Sequence, residues 1–321
     1  MMDWRAWAQL VRIPNTLTSC ADVLAGMCIA GGVANHFGYH PVPAILMSVS
    51  SICFYWAGMV WNDIFDVDQD RQQGRAGPLV TGRISPASAR NAGWALSWIG
   101  IALCFGTPMI YASAMKTDVS WRIAVPGVVG LCLAVAIYGY DGPCKKSPLA
   151  PWIMGLCRGL NMLLGVAMVV AIAPLTLGGA VGAVLTGHVL YVTGLTIAAR
   201  READLTQSRG RLTVGWLLCA CGASAIALSP RLEIDRWLRI EPNWGFPLVI
   251  AILLLPLTRR AIDSIQSLRP QSLGMAIRQA IFSILFLDAA VALQFAGDFP
   301  GILIALLAIP TLLLARWFRA T

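Results

Sequence analysis

Residues 44–71 read AILMSVSSICFYWAGMVWNDIFDVDQDR. The run through Val60 is apolar, and the stretch after it carries Asp63, Asp66, Asp68 and Asp70. If one helix continues through both, 100° per residue places Asp63, Asp66 and Asp70 within about 60° of one another. Asn62 flanks that arc, and Asp68 points nearly the opposite way. Carboxylates converging on one face repel each other unless a cation sits among them. Mg2+ suits such a set, because it is a hard ion that combines carboxylate oxygens with substrate phosphates. The following loop brings Arg71, Arg75 and Arg83, with glycines that let backbone approach an anion. Acids for a metal beside bases for phosphate point to a diphosphate held through Mg2+. The plainer reading is a solvated acidic helix end balanced by its own arginines.

The rest of the chain shares the character of residues 44–60. Of 321 residues, 57% are hydrophobic and 12% charged, with a mean hydropathy of +0.69. Soluble domains carry about a quarter charged residues, so the expectation is an integral, multi-pass, all-α membrane protein. Apolar stretches of spanning length fall at 16–34, 42–61, 88–111, 122–139, 149–172, 176–199, 212–229, 244–258, 278–296 and 299–317. The eighth is short enough to be re-entrant, which admits nine or ten helices. The first follows Arg5 and Arg12 as a signal peptide would. Met27 stands where lipoprotein cleavage before Cys28 would want a small residue, so an uncleaved helix is expected. No hydrophilic insertion is long enough for a second domain, and residues 1–321 read as one unit.

Basic residues set an orientation. With ten crossings and the N-terminus inside, 18 of the 24 Lys and Arg fall on inner segments and five on outer ones; Arg158 lies within a helix. The acidic cluster then sits on the cytoplasmic face. The net charge of +8 reads as topology and affinity for anionic lipid or phosphate, and no nucleic-acid module is recognisable. The nine cysteines lack paired metal-ligand spacing and read as reduced and structural. His36 and His40 have helical spacing, but Gly38 and Pro41 argue against a helix and a metal site there.

Asn62-Asp63-x-x-Asp66-x-x-x-Asp70 resembles the first aspartate-rich signature, NDxxDxxxD, of the UbiA superfamily of intramembrane prenyltransferases. GPLVTGRIS, ending near Arg83, resembles the same family downstream of its acidic helix. Tyr140 with Lys145-Lys146 resembles the family's tyrosine-lysine element, with one extra residue between. VRIPNTLTS, with Arg12, Pro14 and Asn15, is similar to the start of its first helix, and YDGPCKKSPLAPWIMGLCRGLNMLLG resembles the EboC-like branch. The resemblance implies two acidic elements facing each other over a cavity. They would bind Mg2+ and the diphosphate of a polyprenyl donor, whose prenyl group passes to a small acceptor, in many members an aromatic ring. It assigns catalytic roles to Asp63, Asp66, Asp70 and Lys145, and metal ligation to Asn62, Asp63, Asp66 and Asp70. Phosphate contact falls to Arg75, Arg83, Lys145 and Lys146.

The second acidic element departs from the family's DxxxD spacing. The matching loop reads Arg200-Arg201-Glu202-Ala203-Asp204. On one reading Glu202 or Asp204 supplies the second carboxylate while Arg200 or Arg201 contacts phosphate. On the other, Arg200 and Asp204 form an i,i+4 ion pair at a helix end. Ionisable groups inside spans usually face the bundle interior. Arg158 is a further phosphate candidate, and Asn15, Asp22, Tyr140 and Asn161 are acceptor-pocket candidates. Asp288 reads as pairing with a neighbouring helix and His188 as a hydrogen-bonded packing residue. Phe54, Tyr55, Phe65 and Tyr140 lie near enough to the motifs to face an allylic cation, and Trp56, Trp61 and Trp317 read as interfacial anchors. Two rival classes remain at this level: a secondary transporter using Asp22, Arg158 and Asp288, and a non-catalytic prenyl-lipid-binding protein.

Overall fold

The computed structural model describes residues 3–33, 41–115, 120–173, 178–200, 208–233 and 238–320. Among these there is no strand. A short helix, α1 (Trp4–Leu10), and a 3-10 turn (Ile13–Asn15) lead into α2 (Thr16–Val33), α3 (Pro41–Gln72), α4 (Pro86–Met115), α5 (Val125–Asp141) and α6 (Ala150–Ile172). Then come α7 (Gly179–Ala199), α8 (Arg209–Leu228), α9 (Gly245–Ser267), α10 (Pro270–Ala296), α11 (Asp298–Leu306) and α12 (Ala308–Ala320). Ten helical stretches are long and apolar enough to cross a membrane, α11 and α12 together supplying the last. The stretch 244–258, open to a re-entrant reading, extends as α9 to Ser267 despite Pro256 and counts as a full crossing. Trp98, Val135, Ile252 and Leu313 are exposed, as side chains facing lipid rather than water would be. The fold is that of an integral, multi-pass membrane protein.

Helices adjacent in the chain pack side by side from α2 through α10, and α10 returns to α2, closing the bundle. In addition α2 packs directly on α6. Glycine makes that contact possible. A methyl group on Gly26 would lie 2.1 Å from the Met162 carbonyl oxygen, and one on Gly165 only 2.0 Å from that of Val23. Backbones this close exclude any side chain at the crossing, the usual role of small residues between membrane helices. Gly165→Ala therefore drives the helices apart and costs about 1–3 kcal/mol. Thermal unfolding in detergent is expected to shift down, and an unchanged midpoint would show that the crossing yields.

One further feature positions the site. At 1.5 Å per residue α3 is about 48 Å long, well beyond a hydrocarbon core of about 30 Å. Its acidic last turns therefore stand at the membrane rim. There α1, the loop after α3 and the start of α4 pack on the helix through Ala6, Leu10, Val60, Leu79, Ile84 and Ala89.

Candidate active site

The helix α3 runs through the acidic stretch to Gln72, so the arc expected from its spacing is formed. Asp63, Asp66 and Asp70 share a part-enclosed face, with side chains 20%, 22% and 20% exposed. Asp68, on the opposite side, is 83% exposed and pairs only with Arg71. Each of the three enclosed acids meets a base from a different place in the fold. Arg12 Nη2 lies 3.5 Å from Asp63 Oδ1. Lys145 Nζ lies 2.5 Å from Asp66 Oδ2, and Arg75 Nη1 lies 3.2 Å from Asp70 Oδ1. Asn62 Nδ2 donates to Asp141 Oδ1 at 3.0 Å.

Local structure explains how the bases arrive. Arg12 occupies a left-handed backbone conformation (φ 49°) between α1 and the 3-10 turn, which swings its side chain onto α3. Lys145 rides on a tight turn after α5 whose amides are satisfied locally: Gly142 N donates to Tyr138 O and Cys144 N to Gly139 O. Arg200 clamps the same turn, with Nη2 donating to the carbonyls of Lys146 (3.4 Å) and Ser147 (3.0 Å). Arg75 returns to Asp70 after α3 unwinds at Gly74, which takes φ +68°. An aromatic cluster centred on buried Trp61 braces the helix behind the acids. The ring of Trp61 lies 5.0 Å from that of Trp94 and 5.3 Å from that of Tyr138, and Phe65 lies 5.5 Å from Tyr138.

The remaining sequence-selected residues divide. Arg83 does not join the acids; it pairs with Asp3 at 3.7 Å and donates to Gln9 at 2.5 Å, tying the loop to α1. Lys146 is exposed next to Lys145, Asn15 is exposed in the 3-10 turn, and Tyr140 is half-buried. Arg158 turns away from the acidic row. Its Nε lies 2.8 Å from Asp22 Oδ2, and its Nη2 donates to Thr18 O at 2.9 Å. Asp22 and Asn161 are buried and bonded to each other at 2.8 Å, with Asn161 also held by Ser51 and Ser19. Glu202, Asp204 and Arg201 lie outside the described residues, as do His36 and His40. α7 ends at Ala199 and Arg200 is extended (φ −61°, ψ 123°), so Arg200 stands outside the helix that an i,i+4 pair with Asp204 would need.

Other expectations change as well. Trp61 is not an interfacial anchor; at 4% exposure it is locked among rings against Gly93. Phe54 is also buried, in the core of α3, α4 and α5, far from an open face. Two functional candidates escaped the sequence reading. Asp141 is buried beneath Asn62, and the signal for it was an acid closing an apolar helix next to Tyr140. Arg12 carried only a resemblance at the chain start, and nothing local showed that it would reach Asp63.

Oxygen donors from Asn62, Asp63, Asp66 and Asp70 fit Mg2+, and bases within reach of every acid fit an anion that neutralises them when it binds. The profile of the UbiA prenyltransferase family matches residues 21–257. The chain belongs to the UbiA prenyltransferase family. It is 31% identical over 165 residues to the digeranylgeranylglyceryl phosphate synthase of Sulfurisphaera tokodaii, covering 51% of this chain and 52% of that one. The chain thus spans about half the length of that curated relative. Among solved structures, the apo UbiA homologue of Aeropyrum pernix superposes with a TM-score of 0.61 at 17% identity, covering 86% of this chain and 96% of that one. The Archaeoglobus fulgidus UbiA homologue bound to GPP and Mg2+ gives 0.57 at 16% identity, with 87% and 99% covered. At these identities the UbiA likeness in structure is one of fold.

Proposed function

We propose that this UbiA-family chain, acting as one domain, is an Mg2+-dependent prenyltransferase. It moves a polyprenyl group from an allylic diphosphate to a small acceptor within the membrane. The observation that carries the reading is the enclosed row of Asp63, Asp66 and Asp70, each opposed by a base from a separate segment. The A. fulgidus homologue supports it as a relative described with a prenyl diphosphate and Mg2+. Asn62, Asp63, Asp66 and Asp70 would hold the metal, with Glu202 and Asp204 as candidates from the opposite loop. Arg12, Arg75, Lys145 and Lys146 would hold the diphosphate, with Arg200 securing the Lys145 turn and Arg201 a further phosphate candidate. The excess of inner Lys and Arg supports a cytoplasmic N-terminus and a cytoplasmic acidic rim.

The chemistry is ionisation of the allylic C–O bond. Lys145, Arg12 and Arg75 would exchange their carboxylate partners for the arriving diphosphate and neutralise the charge that builds as it departs. Bound Mg2+ supplies further neutralisation of the leaving oxygens. Phe65 and Tyr138, both exposed and packed edge-to-face 5.5 Å apart near the acidic turns, are the aromatic candidates for stabilising the allylic cation. The bundle behind them keeps water from capturing that cation before the acceptor does. A transporter would need its midspan charges available to a solute, whereas Asp22 and Arg158 are committed to each other.

The direct test is metal removal. In reconstituted protein with a polyprenyl diphosphate, diphosphate release is expected to fall to background in EDTA and to return with Mg2+. Release that persists in chelator would overturn the proposal.

A further inference from the structure

We propose that Asp22, His188 and Asp288 form a second metal site, buried in the bundle and built for one divalent first-row transition-metal ion such as Zn2+. The site is independent of the prenyl-transfer reading. Its residues come from α2, α7 and α10, three helices that meet only in the folded bundle. Asp22 and Asp288 are 0% exposed and His188 1%. One donor atom from each lies within 4.8 Å of the others. Ligands at 2.0–2.2 Å around a tetrahedral ion stand about 3.4 Å apart, so the three donors need only small adjustments to close on one ion, the 2.8 Å contact of His188 with Asp288 opening slightly.

The hydrogen bonds of His188 point to a cation. Its Nδ1 lies 3.0 Å from the carbonyl oxygen of Val184, which can only accept, so Nδ1 carries the proton. Neutral imidazole then presents a bare lone pair at Nε2, and this faces Asp288 Oδ1 at 2.8 Å. Two acceptors at that distance need a proton or a cation between them. A histidine whose far nitrogen is tied to a backbone carbonyl is also how metal-binding imidazoles are commonly oriented. The carboxylates add an independent sign. Asp22 Oδ1 and Asp288 Oδ2 meet no hydrogen-bond donor among the described residues. Asp22 Oδ2 is already taken by Arg158 and Asn161. Without an ion two protons are needed, one between Nε2 and Asp288 and one shared between the carboxyls of Asp22 and Asp288. An ion at the centre serves all three residues.

Mixed imidazole and carboxylate ligation suits Zn2+ or a neighbouring transition ion better than Mg2+. The site is also remote from the acidic rim. Asn161, bonded to Asp22, also bonds Ser51, and Ser51 lies about 22 Å below Asp66 along α3 at 1.5 Å per residue. An ion there would pin α2, α7 and α10 together and fix the Asp22 oxygen that holds Arg158.

The test is elemental analysis of the full chain, purified in detergent and washed with EDTA to clear the rim. About one equivalent of a first-row transition metal per chain is expected, with an X-ray absorption shell of nitrogen and oxygen. His188→Ala and Asp288→Asn should each reduce that content at least about tenfold, while Asp66→Asn leaves it unchanged. Absence of a stoichiometric metal in the unmodified protein overturns the proposal, since the cluster would then be held by protons alone. A sulfur-containing shell also overturns it, because the ion would then sit on cysteines. Both of these readings stand on the unmodified protein if the variants fail to fold.

Discussion

Asp66→Asn is expected to slow Mg2+-dependent diphosphate release by about 10²- to 10³-fold, the scale of losing one preorganised electrostatic group. The side chain keeps its size, so packing survives and only the charge is lost. Asp66 is the middle acid of the row and the partner of Lys145 at 2.5 Å. Lys145→Met should slow release by a similar factor for the complementary reason, since it removes a positive charge from the departing diphosphate. Because both act on one charge balance, the double variant should lose much less than the product of the single losses. Asp68→Asn is the control. It removes the same charge two residues away from a side chain that is 83% exposed on the opposite side of α3, and activity should stay within about twofold because surface charges contribute little. Equal losses at 66 and 68 would mean that the cluster works through net charge alone, and the directed site would be wrong.

The arc at Asp63, Asp66 and Asp70 was legible because helical periodicity and an apolar run leading straight into it left little freedom for those side chains. Nine or ten crossings were legible for a similar reason, since bilayer thickness sets the length of each apolar run, and the short eighth run left the count open until α9 proved to extend to Ser267. What failed to show was everything decided by contacts between distant segments. Arg12 reaches Asp63 from a left-handed turn, a geometry that its neighbours in sequence do not announce. Arg83 looked equivalent to Arg75, yet one joins α1 and the other the acidic row. Trp61 sits where the apolar run gives way to acids, as an anchor would, and only the packing of α4 and α5 against it turns it inward. Arg158 was a reasonable phosphate ligand by charge, but Asp22 stands close enough across the Gly165 crossing to claim it.

That last pair yields the largest expected effect on stability. Asp22 is 0% exposed and the Arg158 side chain 15% exposed, with their atoms 2.8 Å apart. Asp22→Ala strands a guanidinium in an apolar bundle, and breaking a buried pair from one side costs about 3–5 kcal/mol. Arg158→Met should cost less. A lone carboxyl is neutralised by taking up a proton, whereas a guanidinium is not neutralised at any ordinary pH. The asymmetry separates an electrostatic account from a packing account. Arg158 is the larger side chain, so if van der Waals contact dominated, its replacement would be the more damaging of the two. Replacing both partners with apolar residues, Asp22→Leu with Arg158→Met, should recover the part of the loss due to the stranded charge, while the part due to the other contacts of Asp22, with Asn161 and the buried His188–Asp288 cluster, remains. Thermal unfolding of the purified variants in detergent reads all three. An Arg158→Met midpoint at or below that of Asp22→Ala would show that packing, rather than the stranded charge, holds α2 against α6.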